Sequence, residues 1–234
     1  MARLPRIVIP GLPHVVIQRG HNQQDVFVDA IDSECYVASL RDAAREAGVL
    51  VHAYGLHAHE ARLLVSPDAE DALGRMMQAV GRRFVRHFNQ RYRRSGTPWE
   101  GRFRSAVIEV ASHFLACMRF VEAAADQPWQ AHHPAGSEEP TQWSSAAHYL
   151  VGRSDALLTE HPAYWALGNT PFDREAAYRR LHTMPLGAQQ VANISLAALN
   201  GWVLGSDTFA DRVAEQAGRR ARRVPPGRPR KPAG

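Results

Sequence analysis

The sequence predicts an α+β fold of the ferredoxin-like type: an antiparallel sheet with helices on one face, then a C-terminal helical extension and a disordered basic tail. Three observations predict it. Short β-rich runs and longer helix-period runs follow one another as β-α-β-β-α-β-α over roughly the first 125 residues. A Pro/Gly/Glu-rich stretch from Ala131 to Thr141 then breaks the pattern, and irregular helical periodicity resumes from Trp143 to Gln216. Beyond Arg219 there is no apolar periodicity at all. The expected division is therefore 1–128 for the ferredoxin-like domain, 129–216 for the helical extension and 217–234 for the tail.

Each element has a local reason. Val15-Val16-Ile17 before Arg19-Gly20 reads as the first strand. From Phe27 to Ala47 the apolar residues recur at helical spacing, and Gly48 stands where a helix commonly ends in a left-handed residue. Val49–Leu56 and Ala61–Val65 are two β-rich runs close enough to form a hairpin around His57-Ala58-His59. Asp71–Tyr92 is a long amphipathic helix with Leu73, Met76, Met77, Val80, Phe84, Phe88 and Tyr92 in one sector. Phe103–Val110 reads as the fourth strand and Ser112–Ala125 as the next helix.

Charge is segregated along this scaffold. The chain carries a net +5, yet Arg75–Arg104 holds a balance of +8, Asp211–Gly234 a balance of +6, and the remainder −9. Solubility alone does not require that separation; binding a polyanion does, because each cation set beside a phosphate releases a counterion. Every basic residue but Lys231 is Arg, which suits forked phosphate contacts and equally a GC-rich coding sequence. On the long helix, Arg75, Arg82, Arg86 and Arg93 fall within roughly 20° of one another, opposite the apolar sector. No acid lies between Asp71 and Glu100, so like charges are expected to repel along this helix. Asn89, Tyr92 and Trp99 are interleaved with these arginines. They can hydrogen-bond to or stack on unpaired bases, although aromatics at this spacing more often belong to a core. No apolar run approaches the roughly 18 residues that cross a bilayer, so no membrane partner is expected. Met1–Pro10 does not have the form of a secretory signal. Cys35 and Cys117 sit in apolar helical patterns and read as free buried thiols, which points to the cytoplasm.

Several blocks then become specific in combination. Val16-Ile17-Gln18-Arg19-Gly20-His21-Asn22, His52-Ala53-Tyr54-Gly55-Leu56 with Leu63-Leu64-Val65, Arg86-His87-Phe88-Asn89, Trp99-Glu100-Gly101-Arg102-Phe103-Arg104-Ser105, Trp143-Ser144-Ser145, and Trp202-Val203-Leu204-Gly205-Ser206 with Phe209 occur in the order and spacing of one family. The chain resembles the REP-associated branch of the HUH tyrosine transposases over residues 4–215 or thereabouts. The resemblance implies a ferredoxin-like fold that binds hairpins of single-stranded DNA and cuts one strand through a tyrosine. It implies Mg²⁺ or Mn²⁺ held by a His-apolar-His pair on the third strand and by an amide one turn after the tyrosine. It also implies a homodimer, for which the residues themselves give no interface signal.

Carried over position by position, that chemistry is missing. The two histidine positions hold Glu60 and Arg62, the tyrosine position holds Phe120, and the amide position holds Ala124. A phenyl ring has no oxygen with which to attack phosphorus, and a guanidinium has no lone pair to give a metal. Glu60 and Arg62 fall on one strand face and are expected to pair in the place of the ion. On its helix Phe120 lies about 120° from the apolar stripe, which places it on the flank rather than in the core. His57-Ala58-His59 repeats the His-apolar-His form three residues early. Along a regular strand that odd displacement turns it away from the site; a bulge would be needed to bring it back.

The sequence thus predicts a DNA-binding protein of the tyrosine-transposase type that holds structured single-stranded DNA, has no intact catalytic residues and needs no cofactor. The expected contacts are Arg19, Asn22, Arg75, Arg82, Arg86, Asn89, Arg93, Arg94, Arg102 and Arg104, with Arg228 and Arg230 in a tail whose Pro226-Gly227-Arg228-Pro229-Arg230-Lys231-Pro232 resembles an AT-hook core. The alternative is an active metal-dependent transposase or single-strand endonuclease. It would use His57, His59 or Glu60 with Mg²⁺ or Mn²⁺, and a substitute nucleophile among Tyr54, Tyr92 and Tyr149.

Overall fold

The computed structural model describes residues 5–123 and 143–222. Ala124, the 128/129 boundary, Arg228 and Arg230 lie outside the described residues. Four strands, β1 (His14–Arg19), β2 (Val49–Leu56), β3 (Glu60–Pro67) and β4 (Arg104–Val107), form one sheet in the order β2-β3-β1-β4. Every neighbouring pair is antiparallel, with Val16 opposite both Leu63 and Ser105. This is the ferredoxin-like arrangement expected from the element order.

Helices α1 (Ala30–Ala47) and α2 (Ala72–Arg91) cover one face. The helix α1 starts three residues later than the apolar spacing suggests. Asp29 caps it by accepting from the backbone N–H groups of Ile31 and Asp32, while Phe27 enters the core from the segment before it. Gly48 closes it at φ +71°, where a side chain would be strained. Met76, Met77, Val80, Phe84 and Phe88 of α2 pack with Tyr36 and Leu40 of α1 on Val16, Leu63 and Val65.

The opposite face is covered as well. Val15, Ile17 and Leu64 point there, onto α3 (Val110–Glu122) and the helices of the extension: α4 (Ala146–Val151), α5 (Pro162–Trp165), α6 (Pro171–Thr183) and α7 (Ala188–Asn200). A bulge in β2 between Val51 and Ala53 changes the alternation, so that Val51 and Tyr54 both serve the α1/α2 side while Ala53 serves the other. Residues Val110 and Ala111, expected at the end of the fourth strand and before the helix, instead open α3. The last helix, α8 (Asp207–Gln216), packs with Ile7, Ile9 and Val107.

Residues 217–222, placed by the sequence in the tail, make contacts with the rest of the chain. Ala221 is buried and its carbonyl accepts from the Val203 N–H, Arg219 donates to the Pro5 and Gly201 carbonyls, and Arg222 pairs with Asp207 and Asp211. Residues 217–222 are therefore held to α8 and the N-terminal segment. Their anchors are backbone acceptors and acids on other elements, which no local periodicity reveals.

Candidate nucleic-acid interface

At one end of the sheet, β3 begins with Glu60 buried between two arginines. Its carboxylate accepts from Arg19 Nε at 2.8 Å and from Arg62 Nε at 2.6 Å. Arg62 also donates to the Phe120 carbonyl at 3.1 Å, and its guanidinium lies 4.4 Å from the Phe120 ring centre. Burial pushes the Glu60 carboxyl up, and the two guanidinium groups outweigh it, holding the group below the ordinary carboxylate value. A glycine makes this assembly possible: a Cβ on Gly55 would sit 2.3 Å from the Val121 carbonyl, so only glycine lets the end of α3 lie against β2.

Phe120 is a fully buried member of the core on this face, not a flank residue. The helical wheel of α3 alone misplaces it because the cover comes from elsewhere: Arg62 below and the α6–α7 segment above. Between them is a cavity of about 490 Å³ lined by His57, His59, Glu60, Arg62, Arg119, Phe120, Ala123, His182, Met184, Pro185, Leu186 and Val191. His57 and His59 face this cavity despite their odd displacement, because they occupy the turn between β2 and β3, where strand alternation stops. Burial, with Arg62 nearby, pushes the His57 imidazole down to about 3, and its Nε2 has no partner among the described residues. His182 Nε2 stands 3.4 Å from Glu122, a buried carboxylate on α3 that accepts from the Ser145 and Tyr178 hydroxyls.

These residues do not fit the divalent ion implied by the resemblance. Both Glu60 oxygens are engaged by guanidinium groups, and Arg62 brings positive charge to the place where the ion would sit. Among the described residues no three His, Cys, Asp or Glu side chains gather so that they could hold a metal. The hydroxyls of Tyr54, Tyr92 and Tyr149 donate to Asp155, Asp32 and the His52 carbonyl, and none of the three lines the cavity.

The arginines predicted to contact DNA divide into two groups. Arg75 is tied to Asp71 and Arg19 to Glu60, while Arg94 donates to Gln24 and lies over Phe88. Two arginines of α2 find acids on α1 or at its N-cap: Arg83 pairs with Glu46, and Arg91 with Asp29 and Asp32. The expectation that like charges simply repel along this helix is thus corrected, because the partners come from the helix beside it. Arg82, Arg86 and Arg102 are exposed and have no acid partner among the described residues. All three border one groove of about 720 Å³ between α2 and the Thr97–Phe103 loop.

Arg102 is the common wall of this groove and of two smaller clefts, one shared with Arg19 and Arg104 and one with Arg6 and Arg219. A basic strip therefore runs from the middle of α2, across Arg102 and Arg104, to Arg19 beside the buried Glu60. Arg93 is exposed at φ +49° just past α2, and Asn22 is exposed at φ +51° in the turn after β1; neither lines these clefts. Asn89 donates to the Gly96 carbonyl and so holds the loop rather than the groove. Sequence reading missed Arg119 and His182 as cavity walls, and Gly74, Gln78 and Gly81 as groove floor.

No family model and no curated protein matches this sequence. Among solved structures, the chain is similar to a REP-associated tyrosine transposase bound to a REP hairpin, at 12% identity and a TM-score of 0.52, over 70% of this chain and 96% of that one. It is also similar to a candidate transposase from Deinococcus radiodurans R1, at 16% identity and a TM-score of 0.37, over 53% of this chain and 98% of that one. The chain has the fold of a REP-associated tyrosine transposase.

Proposed function

We propose that this protein binds structured single-stranded DNA, a hairpin with unpaired flanks, and does not cut it by the tyrosine route. The observation that carries this reading is the set of three arginines, Arg82, Arg86 and Arg102, left unpaired by acids among the described residues and turned to one groove while their neighbours on α2 are neutralised. The structural neighbour was solved with a REP hairpin, and a hairpin is the substrate class proposed here. The inert half of the proposal rests on Phe120, which has no oxygen, and on Glu60, which is occupied by arginine.

Two measurements test it. Retention of a hairpin oligonucleotide should fall with salt, with a slope of roughly −2 if the three arginines each displace a counterion from a single strand. Salt-independent binding, or none, rejects the DNA half. Incubation of a labelled hairpin with the protein and Mg²⁺ or Mn²⁺ should give no covalent adduct. An adduct abolished by mutating one tyrosine rejects the inert half. A specific observation keeps that second reading in view: His57 and His59 share the cavity with Glu60.

A further inference from the structure

The groove on α2 has a floor that the fold does not explain. Gly74 and Gly81 are seven residues apart on one helix, both bordering the groove, and an added Cβ at either would meet nothing within 4 Å. Packing within this chain therefore does not require glycine at these positions, and glycine is the poorest helix former after proline. What two absent side chains give is access: a flat ligand can lie on the helix backbone. The inner wall adds a second, independent signal. Trp99 is 4% exposed, borders the groove, and its indole N–H has no partner among the described residues. An indole N–H can only donate. Beside it, Gln18 is buried, borders the groove and uses its carbonyl oxygen to accept from Tyr36, which leaves its NH₂ group as donor. The rim carries Arg82, Arg86 and Arg102, and no acid among the described residues lines the groove. Flat apolar floor, donors inside and cations outside are the complement of a nucleotide: a planar ring with acceptors on its edge and a phosphate behind it.

We propose that this groove is a pocket for a single unpaired base, received edge-on by Trp99 and Gln18 over the Gly74–Gly81 floor, with its phosphate on Arg82 and Arg86. At about 720 Å³ the groove falls within the range of roughly 300–1,000 Å³ typical of small-ligand sites. The inference rests on the DNA-binding reading above and deepens it, from charge-driven retention to recognition of one base with an acceptor edge.

The test uses the full chain and hairpin oligonucleotides whose flanks are abasic, so that every phosphate is kept and no base is offered. A single thymidine, with its two carbonyl acceptors, is moved along the flank one position at a time, and affinity is read by fluorescence anisotropy. One position should bind about tenfold or more tightly than the fully abasic flank, the scale of one base contact. Gly81→Leu places a side chain on the floor; it should erase the difference between the thymidine and abasic flanks and not lower the Tm, since leucine is the better helix former. Gly74→Leu, at the other end of the floor, should do the same. If the hairpin is held in a salt-dependent way through Arg82 and Arg86 but no thymidine position matters, or if both leucine variants keep the gain, the base pocket is wrong and the DNA-binding reading stands. If the wild type retains neither hairpin, both fall together.

Discussion

The two ends of the basic strip handle arginine in opposite ways. At the β3 end, Arg19 and Arg62 share one buried carboxylate, and Arg62 is further engaged by the Phe120 carbonyl and ring. At the α2 end, Arg82, Arg86 and Arg102 stand exposed around a groove with no acid on its walls among the described residues. Burying a charge is costly unless it is paired, so the first arrangement is what folding demands of arginines kept from water. The second gains nothing from folding, because like charges gathered around a groove repel until an anion arrives. Position on the strip alone does not separate ligand-binding arginines from structural ones; what each guanidinium already holds does.

Acid should break the structural side first. His14 donates through Nδ1 to the Leu12 carbonyl and accepts at Nε2 from the Ile9 N–H. His52 stands between the Thr159 carbonyl and the Ser66 hydroxyl, tying β2 to the extension. Burial pushes both imidazoles down to about 4. Above pH 6.5 neither the folded nor the unfolded chain protonates them. Between 6.5 and about 4 only the unfolded chain takes the proton, so stability falls as pH drops through that window. The loss should approach about 3 kcal/mol for each histidine at the lower end, read from urea unfolding at pH 7, 5.5 and 4.5, whereas the arginine groove keeps its charge throughout. A flat stability profile would show that the two rings are not held neutral in the fold.

The next effect isolates the carboxylate. Glu60→Ala removes the one acid between Arg19 and Arg62 and leaves two guanidinium groups facing each other beside the Phe120 ring. Breaking a buried pair from one side costs about 3–5 kcal/mol, and the urea midpoint should fall accordingly. A loss under about 1 kcal/mol would mean that the network is solvent-screened and that the contrast between the two ends is overdrawn.

Much of this was legible in the sequence, and the exceptions share a cause. The order of strands and helices along the first domain, the Gly48 cap and the apolar sector of α2 follow from local spacing, and the buried residues Leu73, Met76, Val80, Phe84 and Phe88 fall where periodicity puts them. The pairing of Glu60 with Arg62 follows from two residues on one strand face. What local spacing does not carry is the partner from a distant element. Glu46 and Asp29 neutralise Arg83 and Arg91 from across the helix pair. The α6–α7 segment buries Phe120, and Arg219 is fixed by Pro5 and Gly201. The groove left a faint trace: two glycines seven apart in an otherwise regular helix, next to arginines, are a cost with no visible folding return.

At the open end, Arg82→Glu with Arg86→Glu should weaken hairpin binding on the order of 100-fold and flatten its salt dependence, because two phosphate contacts become repulsions. Both side chains are exposed and unpaired by acids among the described residues, so the unfolding midpoint should stay close to that of the wild type. Binding that survives the reversal would move the interface elsewhere on the molecule.

The smallest effect gives the sharpest contrast. Replacing Glu60 and Arg62 together by Met removes the buried pair without stranding either partner, and net charge does not change. An apolar pair of similar length can fill the same space beside Phe120, and such swaps are often neutral or stabilising. Stability should shift by less than about 1 kcal/mol, in contrast to the single Glu60→Ala change. Hairpin affinity should shift by less than about twofold, since the Arg62 charge is cancelled before any phosphate arrives. Arg19 is freed in this double variant, so a modest gain in affinity is the direction to look for. A large loss of binding would place Arg62 among the DNA contacts and make the cavity beneath α6–α7, rather than the α2 groove, the working end of the strip.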